Sequence, residues 1–254
     1  MSMLLANPDL AKLLRRLKLG KMAATLPERL ALARSQQLDH AAFLEILLAD
    51  EVSRRDQQRL ELHLTQAGFE EVCRLEDFDW TANIKVDKRL LGQVFSLEFL
   101  ARHHHCLFVG PVGVGKTFMA QALGYAALRA GQSVLFTRTD AMLRALLQAR
   151  ADHSFEKEFR RYLAPDLLIV DDFGLRRLSA QQSADLYELI IARHRRASFV
   201  FTSNRAIDEW LALFDDPILG NSALDRLTHA SHQIVIEGAS YRERLAPKPP
   251  REPQ

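Results

Sequence analysis

The chain is poor in cysteine: 254 residues carry only Cys73 and Cys106, far apart and in no CxxC pair. That argues against a disulfide framework or a cysteine zinc site and suits a reducing, cytoplasmic setting. No apolar run is long enough to cross a bilayer. Leucines near the N-terminus are interrupted by Asp9, Lys12, Arg15 and Arg16, so they do not read as a signal peptide. An excess of one charge is also missing. Lys plus Arg number 34 against 32 Asp plus Glu, a net charge of +2. Bulk charge therefore neither demands nor excludes a nucleic-acid partner; only a local basic surface argues for one. No internal repeat is visible. What is present, 48% hydrophobic and 26% charged residues, is ordinary for a globular protein. The length suits one large domain, or a core with a small appendage.

The first third reads as helical, with no strand signal. Leu10, Leu13, Leu14 and Leu17 recur at helical spacing, and Gly20 is a stop signal. A second helix runs through Leu26, Leu30 and Ala33, with Pro27 near its start. A third begins at Asp39, carries Phe43, Ile46 and Leu47, and ends near Gly68. The pattern then changes to short apolar runs at Cys106–Val109, Val134–Phe136, Leu167–Val170, Phe199–Phe201 and Ile234–Ile236. None alternates with period two, as expected of strands buried on both faces. Amphipathic stretches such as Thr117–Arg129 and Ala180–Arg195 separate them, which predicts an α/β fold: a parallel sheet with helices on both sides. The expected division is a helical domain over 1–70 for oligomer or partner contacts, a core over 71–245, and a disordered tail rich in proline and charge over 246–254.

Gly110-Pro111-Val112-Gly113-Val114-Gly115-Lys116-Thr117 fits the phosphate-loop pattern GxxxxGK[ST]. Glycines let the backbone wrap a phosphate with its N–H groups turned inward. Lys116 can reach the β- and γ-phosphates, and the Thr117 hydroxyl can ligate Mg²⁺. A strand precedes the loop and a helix follows from Phe118, so the positive end of a helix dipole meets the phosphates. The expected nucleotide-binding set is Gly110 through Phe118. A second run, Leu167–Val170, leads into Asp171 and Asp172. Asp171 would hold Mg²⁺ through water, and Asp172 would orient or deprotonate an attacking water. A third, Phe199–Phe201, leads through Thr202 and Ser203 to Asn204, which by itself reads as a turn-starting asparagine and is also suited to a γ-phosphate or the lytic water.

Arg226 sits in a predicted helix. It fits a salt-bridged surface arginine or a finger that reaches a neighbouring subunit's nucleotide. Arg144, Arg150, Lys157, Arg160 and Arg161 form a basic cluster. Glu156 and Glu158 among them fit a solvated helix face, so the residues alone leave DNA contact open. His103–His105 are adjacent and cannot converge on one tetrahedral ion, so they read as a loop before a strand. His229 and His232 stand one helical turn apart without a further ligand pattern. Phe78 and Trp80 fit either core packing or a border to a nucleobase. Leu10–Leu17 is an apolar stripe for packing or subunit contact.

Together these elements resemble the AAA+ ATPases, and most closely the IstB/DnaC branch of insertion-sequence ATP-binding proteins and helicase loaders. Gly110–Thr117 resembles Walker A and Leu167–Asp172 Walker B. Thr202-Ser203-Asn204-Arg205, followed by Trp210, is similar to that branch's sensor-one segment. Asp225-Arg226-Leu227 with His229 and His232 resembles its arginine-finger region, and Gly238-Ala239-Ser240-Tyr241-Arg242 its closing sequence. Leu19, Met22, Leu26 and Pro27 resemble the leading helices of the transposition proteins. The resemblance implies a five-stranded AAA+ core with a reduced or absent lid, homo-oligomers with ATP between subunits, double-stranded target DNA, and a partner transposase. A replicative helicase loader and a DNA scaffold with little nucleotide turnover remain the competing readings. Asp172, where a glutamate would reach further, keeps the scaffold alive.

Overall fold

A computed structural model describes residues 8–81 and 84–240. Tyr241, Arg242 and the tail over 246–254 lie outside them. The chain divides into two compact units between Leu62 and His63.

The first unit is helical: α1 (Pro8–Arg16), α2 (Met22–Ser35) and most of α3 (His40–Ala67). Asp39 caps α3 through its carboxylate on the Ala42 N–H, 2.7 Å away, and Gly68 ends it at φ +70°. Pro27 lies inside α2 instead of near its start, because the helix begins at Met22, about one turn before Leu26. Arg29 grips Asp50 through two bonds of 2.6 and 3.1 Å, and Arg54 and Arg55 both hold Glu51.

The second unit opens with a short 3-10 turn (Leu75–Asp77), β1 (Ile84–Lys85), α4 (Lys88–Phe95) and α5 (Glu98–Ala101). The core elements follow in alternation: β2 (His105–Val109), α6 (Lys116–Arg129), β3 (Val134–Arg138), α7 (Thr139–Ala151), α8 (Phe155–Leu163), β4 (Leu167–Phe173), α9 (Ala180–Arg193), β5 (Ser198–Ser203), a 3-10 turn (Ile207–Leu213), α10 (Pro217–His229) and β6 (Ser231–Val235). A last strand, β7 (Glu237–Gly238), pairs antiparallel with β1. Five strands form one parallel sheet in the order β3-β4-β5-β2-β6, as the continuous apolar runs predicted. Every residue of β2 and β5 is buried. Among the described residues, no helical bundle follows β6.

Three expectations are corrected. β6 begins at polar Ser231 and stops before Ile236, because its register is set by β2, with His105 opposite Ser231 and Val109 opposite Val235. His232 is consequently a strand residue and does not share a helical turn with His229. His105 belongs to β2 and is buried, not in the preceding loop.

The amino-terminal ends of the strands are closed by polar groups. Arg193, 1% exposed, donates to the carbonyls of Tyr162, Leu163, Pro165 and Ser198 at 2.6–3.1 Å. It ties the approach to β4 to the start of β5, and burial pushes its pKa down to about 10. Beside it, His105 Nδ1 accepts the Phe199 N–H at 3.2 Å. Burial, helped by the charges of His194, Arg193 and His104, lowers the His105 pKa to about 4.

Arg193→Met should lower the unfolding free energy by about 3 kcal/mol, since four carbonyls lose their donor. Arg193→Lys should recover little, because one ammonium lacks the guanidinium fork; urea denaturation measures both. For His105, the folded state binds fewer protons than the unfolded one between pH 6.5 and 4. Stability present above pH 6.5 is therefore lost as pH falls toward 4, by up to about 3 kcal/mol. His105→Gln should flatten that slope in denaturation curves taken across the window.

Candidate active site

Polar side chains gather where a parallel sheet offers them, at the carboxyl ends of its strands. A cleft of about 590 Å³ lies there. The loop from Gly110 to Gly115 leaves β2 and enters α6. Gly115, at φ +91°, caps the helix, and a Cβ on it would come 2.7 Å from the Phe78 ring. Gly113, at φ +81°, sits against Ser240, where a Cβ would overlap the hydroxyl. Both positions require glycine. Lys116 is 6% exposed, and its ammonium donates to the Pro111 carbonyl at 2.6 Å.

Asp171 is the centre of the polar cluster. It is 1% exposed. Thr117 Oγ1 donates to its carboxylate, 2.9 and 3.1 Å from the two oxygens, and Thr202 Oγ1 lies 2.5 Å from Oδ1. Burial raises the Asp171 pKa, and the Asp172 charge adds to this; the Thr202 and Thr117 hydroxyls oppose it. Its own carbonyl accepts from Thr139 at 2.9 Å.

Asp172 is not the end of its strand. β4 continues to the buried Phe173, and the register with β5 shifts between Val170 and Phe173. Asp172 adopts φ +56°, and its N–H is held by Thr202 Oγ1 at 3.0 Å. A bulge of this kind re-aims one side chain, and Asp172 lines the cleft.

Val112 through Phe118, Asp171, Asp172 and Asn204 all line this cleft. Gly110 and Pro111, also in the expected binding set, are not among the lining residues; the Gly110 N–H bonds the Ser203 carbonyl at 3.2 Å. Arg226 is not among the lining residues; it folds back on Ser222, bonding its carbonyl and hydroxyl at 2.7 Å. The open question over Phe78 and Trp80 resolves differently for each. Phe78 lines the cleft against Gly115 and Phe118, whereas Trp80 is 41% exposed and packs edge-on against Phe78.

The basic cluster is less uniform than its sequence. Arg150 is bound to Asp185, itself 1% exposed, and lies 3.8 Å from the centroid of the Phe155 ring. Its guanidinium serves packing between α7 and α9. Arg161 pairs with Glu158 on its own helix. Arg144, Lys157 and Arg160 are exposed.

A hydroxyl and a carboxylate oxygen side by side, at Thr117 and Asp171, form an oxygen donor set suited to a hard cation. Among the described residues, no group of three His, Cys, Asp or Glu could hold a metal by itself. An ion held here would need most of its ligands from water or phosphate, which fits the chemistry of Mg²⁺.

Sequence reasoning missed Thr202 and Thr139 as partners of Asp171, and Arg138 and Glu70 as walls of the cleft. Thr202 and Arg138 had one available signal: each is polar and ends an apolar strand run.

Residues 12–248 match the family described as IstB-like ATP binding protein. A Mycobacterium tuberculosis protein, Rv3427c, named as an ATP-binding protein in an insertion sequence, is 43% identical over 96% of this chain and 98% of its own. The ATP-binding protein of insertion sequence IS21 from Pseudomonas aeruginosa is 32% identical over 92% of this chain and 88% of its own. Among solved structures, DnaI is similar with a TM-score of 0.56 at 19% identity, covering 65% of this chain and 90% of its own. The DnaC helicase loader is similar at 0.50 and 22% identity, over 57% and 85%. The last two likenesses are of fold.

Thr202→Val removes a hydroxyl that serves both Asp171 and the Asp172 N–H. Unfolding free energy should fall by about 1–3 kcal/mol, while Thr202→Ser, which keeps the hydroxyl, should retain most of it in the same denaturation experiment.

Proposed function

The chain belongs to the IstB-like ATP-binding family, whose fold is that of AAA+ proteins, and on that premise we propose that it is an ATPase that assembles on double-stranded target DNA and assists a partner transposase. The observation that carries the enzymatic part is the Thr117–Asp171–Thr202 cluster, set against the phosphate loop with Asp172 and Asn204 beside it. Loop N–H groups and Lys116 bind the phosphates. Thr117, and Asp171 through water, hold Mg²⁺, which neutralises charge on the terminal phosphates when bound. Asp172 and Asn204 position the attacking water, and Asp172 takes its proton.

Arg226 acts from the next subunit of a homo-oligomer. Its place outside its own chain's cleft favours that reading over a role in cis. A terminal phosphate held by two subunits favours assembly only while it is intact, so hydrolysis releases the assembly. Arg144, Lys157, Arg160 and Arg161 supply phosphate contacts to DNA; Arg150, committed to Asp185, does not. The insertion-sequence names of the relatives favour a transposase over a helicase as partner.

Lys116→Ala should lose nucleotide binding and, with it, ATP-dependent assembly on DNA, read by mass measurement with and without ATP. Assembly that survives in that variant overturns the proposal. Asp172→Asn and Arg226→Ala should each abolish DNA-stimulated phosphate release. Mixed together, they should regain activity at roughly a quarter of the sites, those that pair an intact Asp172 with a neighbour's intact Arg226. An absence of turnover in the unaltered protein on DNA would support a scaffold instead.

A further inference from the structure

Among the described residues, five carboxylates line the cleft, from Glu70, Asp77, Asp79, Asp171 and Asp172, against two cationic side chains, Lys116 and Arg138. Lys116 belongs to the phosphate loop. Arg138 has no part in the motifs, yet the sheet puts it opposite Asp171 in the β3–β4 register. We infer that Arg138 exchanges between two anions, the Glu70 carboxylate on which it rests here and the terminal phosphate of a bound nucleoside triphosphate, so that Glu70 restrains the preference for ATP over ADP.

Three observations support this. The first is placement. The loop lysine and Thr117 define the β- and γ-phosphate end of the cleft. Asp171 touches Thr117, and Arg138 ends the adjoining strand opposite Asp171, so both line the same end of the cleft. The second is exchangeability. Arg138 and Glu70 meet at 2.7 Å, but their side chains are 54% and 46% exposed. An ion pair that open to solvent is weak and can be displaced by a more highly charged partner. The third is that Glu70 is held in place. Its N–H and that of Glu71 both donate to Gln121 Oε1 at 3.2 Å. Gln121 is buried and follows Thr117 by one turn of α6. The helix that carries the loop lysine therefore also anchors the backbone that bears the competing carboxylate. Asp171 and Asp172 add to the negative field around Arg138.

The inference rests on the nucleotide reading of the cleft, and one set of titrations separates the two. Affinities for ADP and for a non-hydrolysable ATP analogue, each with Mg²⁺, are measured by calorimetry on the full chain. Arg138→Gln should weaken analogue binding about tenfold and leave ADP within about twofold; Arg138→Lys should keep part of the difference. Glu70→Gln should strengthen analogue binding by about two- to fivefold with ADP unchanged. The double variant should match Arg138→Gln alone, because Glu70 acts only through the arginine. Equal losses for both nucleotides in Arg138→Gln, or a Glu70→Gln gain that persists without Arg138, would overturn the inference. Failure of the unaltered protein to bind either nucleotide would overturn the reading of the cleft itself.

Discussion

The site depends on keeping one carboxylate ionisable inside the protein. Asp171 is buried near the carboxyl end of β4, directly after the apolar run Leu167–Val170, and burial raises its pKa. An unpaired charge there would be costly. Two hydroxyls from different elements, Thr117 on α6 and Thr202 on β5, offset that cost by donating to it. The same bonds fix the phosphate-loop helix to β4 and hold the bulge that turns Asp172 into the cleft. Stability and site geometry thus share one set of contacts.

The two ends of the sheet treat polarity in opposite ways. At the amino-terminal end, Arg193 satisfies four carbonyls. That end is consolidated, and the approach to β4 is pinned to the start of β5. At the carboxyl end, Asp172, Asn204 and Arg138 line a cleft instead of closing it. Because β4 and β5 are anchored at one end and paired along their length, their far ends hold Asp171, Asp172 and Asn204 at a set spacing. A parallel sheet places successive strand ends side by side without any of them being close in sequence.

The rim is built from segments outside the alternating core. Phe78 closes over Gly115, Ser240 lies on Gly113, and Ile84 of β1, paired to β7, borders the cleft. Two of the loop glycines therefore answer to both backbone conformation and close neighbours. Among the described residues that line the cleft, acids outnumber bases.

The amino-acid sequence by itself determined the phosphate loop, because GxxxxGK[ST] encodes a local conformation that needs no distant partner. It also determined β2, β4 and β5, since an apolar run buried on both faces is a property of the run itself. Asp171, Asp172 and Asn204 were legible as polar residues following such runs. Tertiary structure alone decided what these residues do to one another. The Thr202 hydroxyl beside Asp171, the Glu70 carboxylate on Arg138 and the commitment of Arg150 to Asp185 join residues 31, 68 and 35 positions apart. The polar starts of β6, at Ser231 and His232, and the bulge at Asp171–Asp172 follow from register with a neighbouring strand, which no single segment contains. Local conformation is written along the chain, whereas the pairing of buried charges is settled only when strands and helices meet.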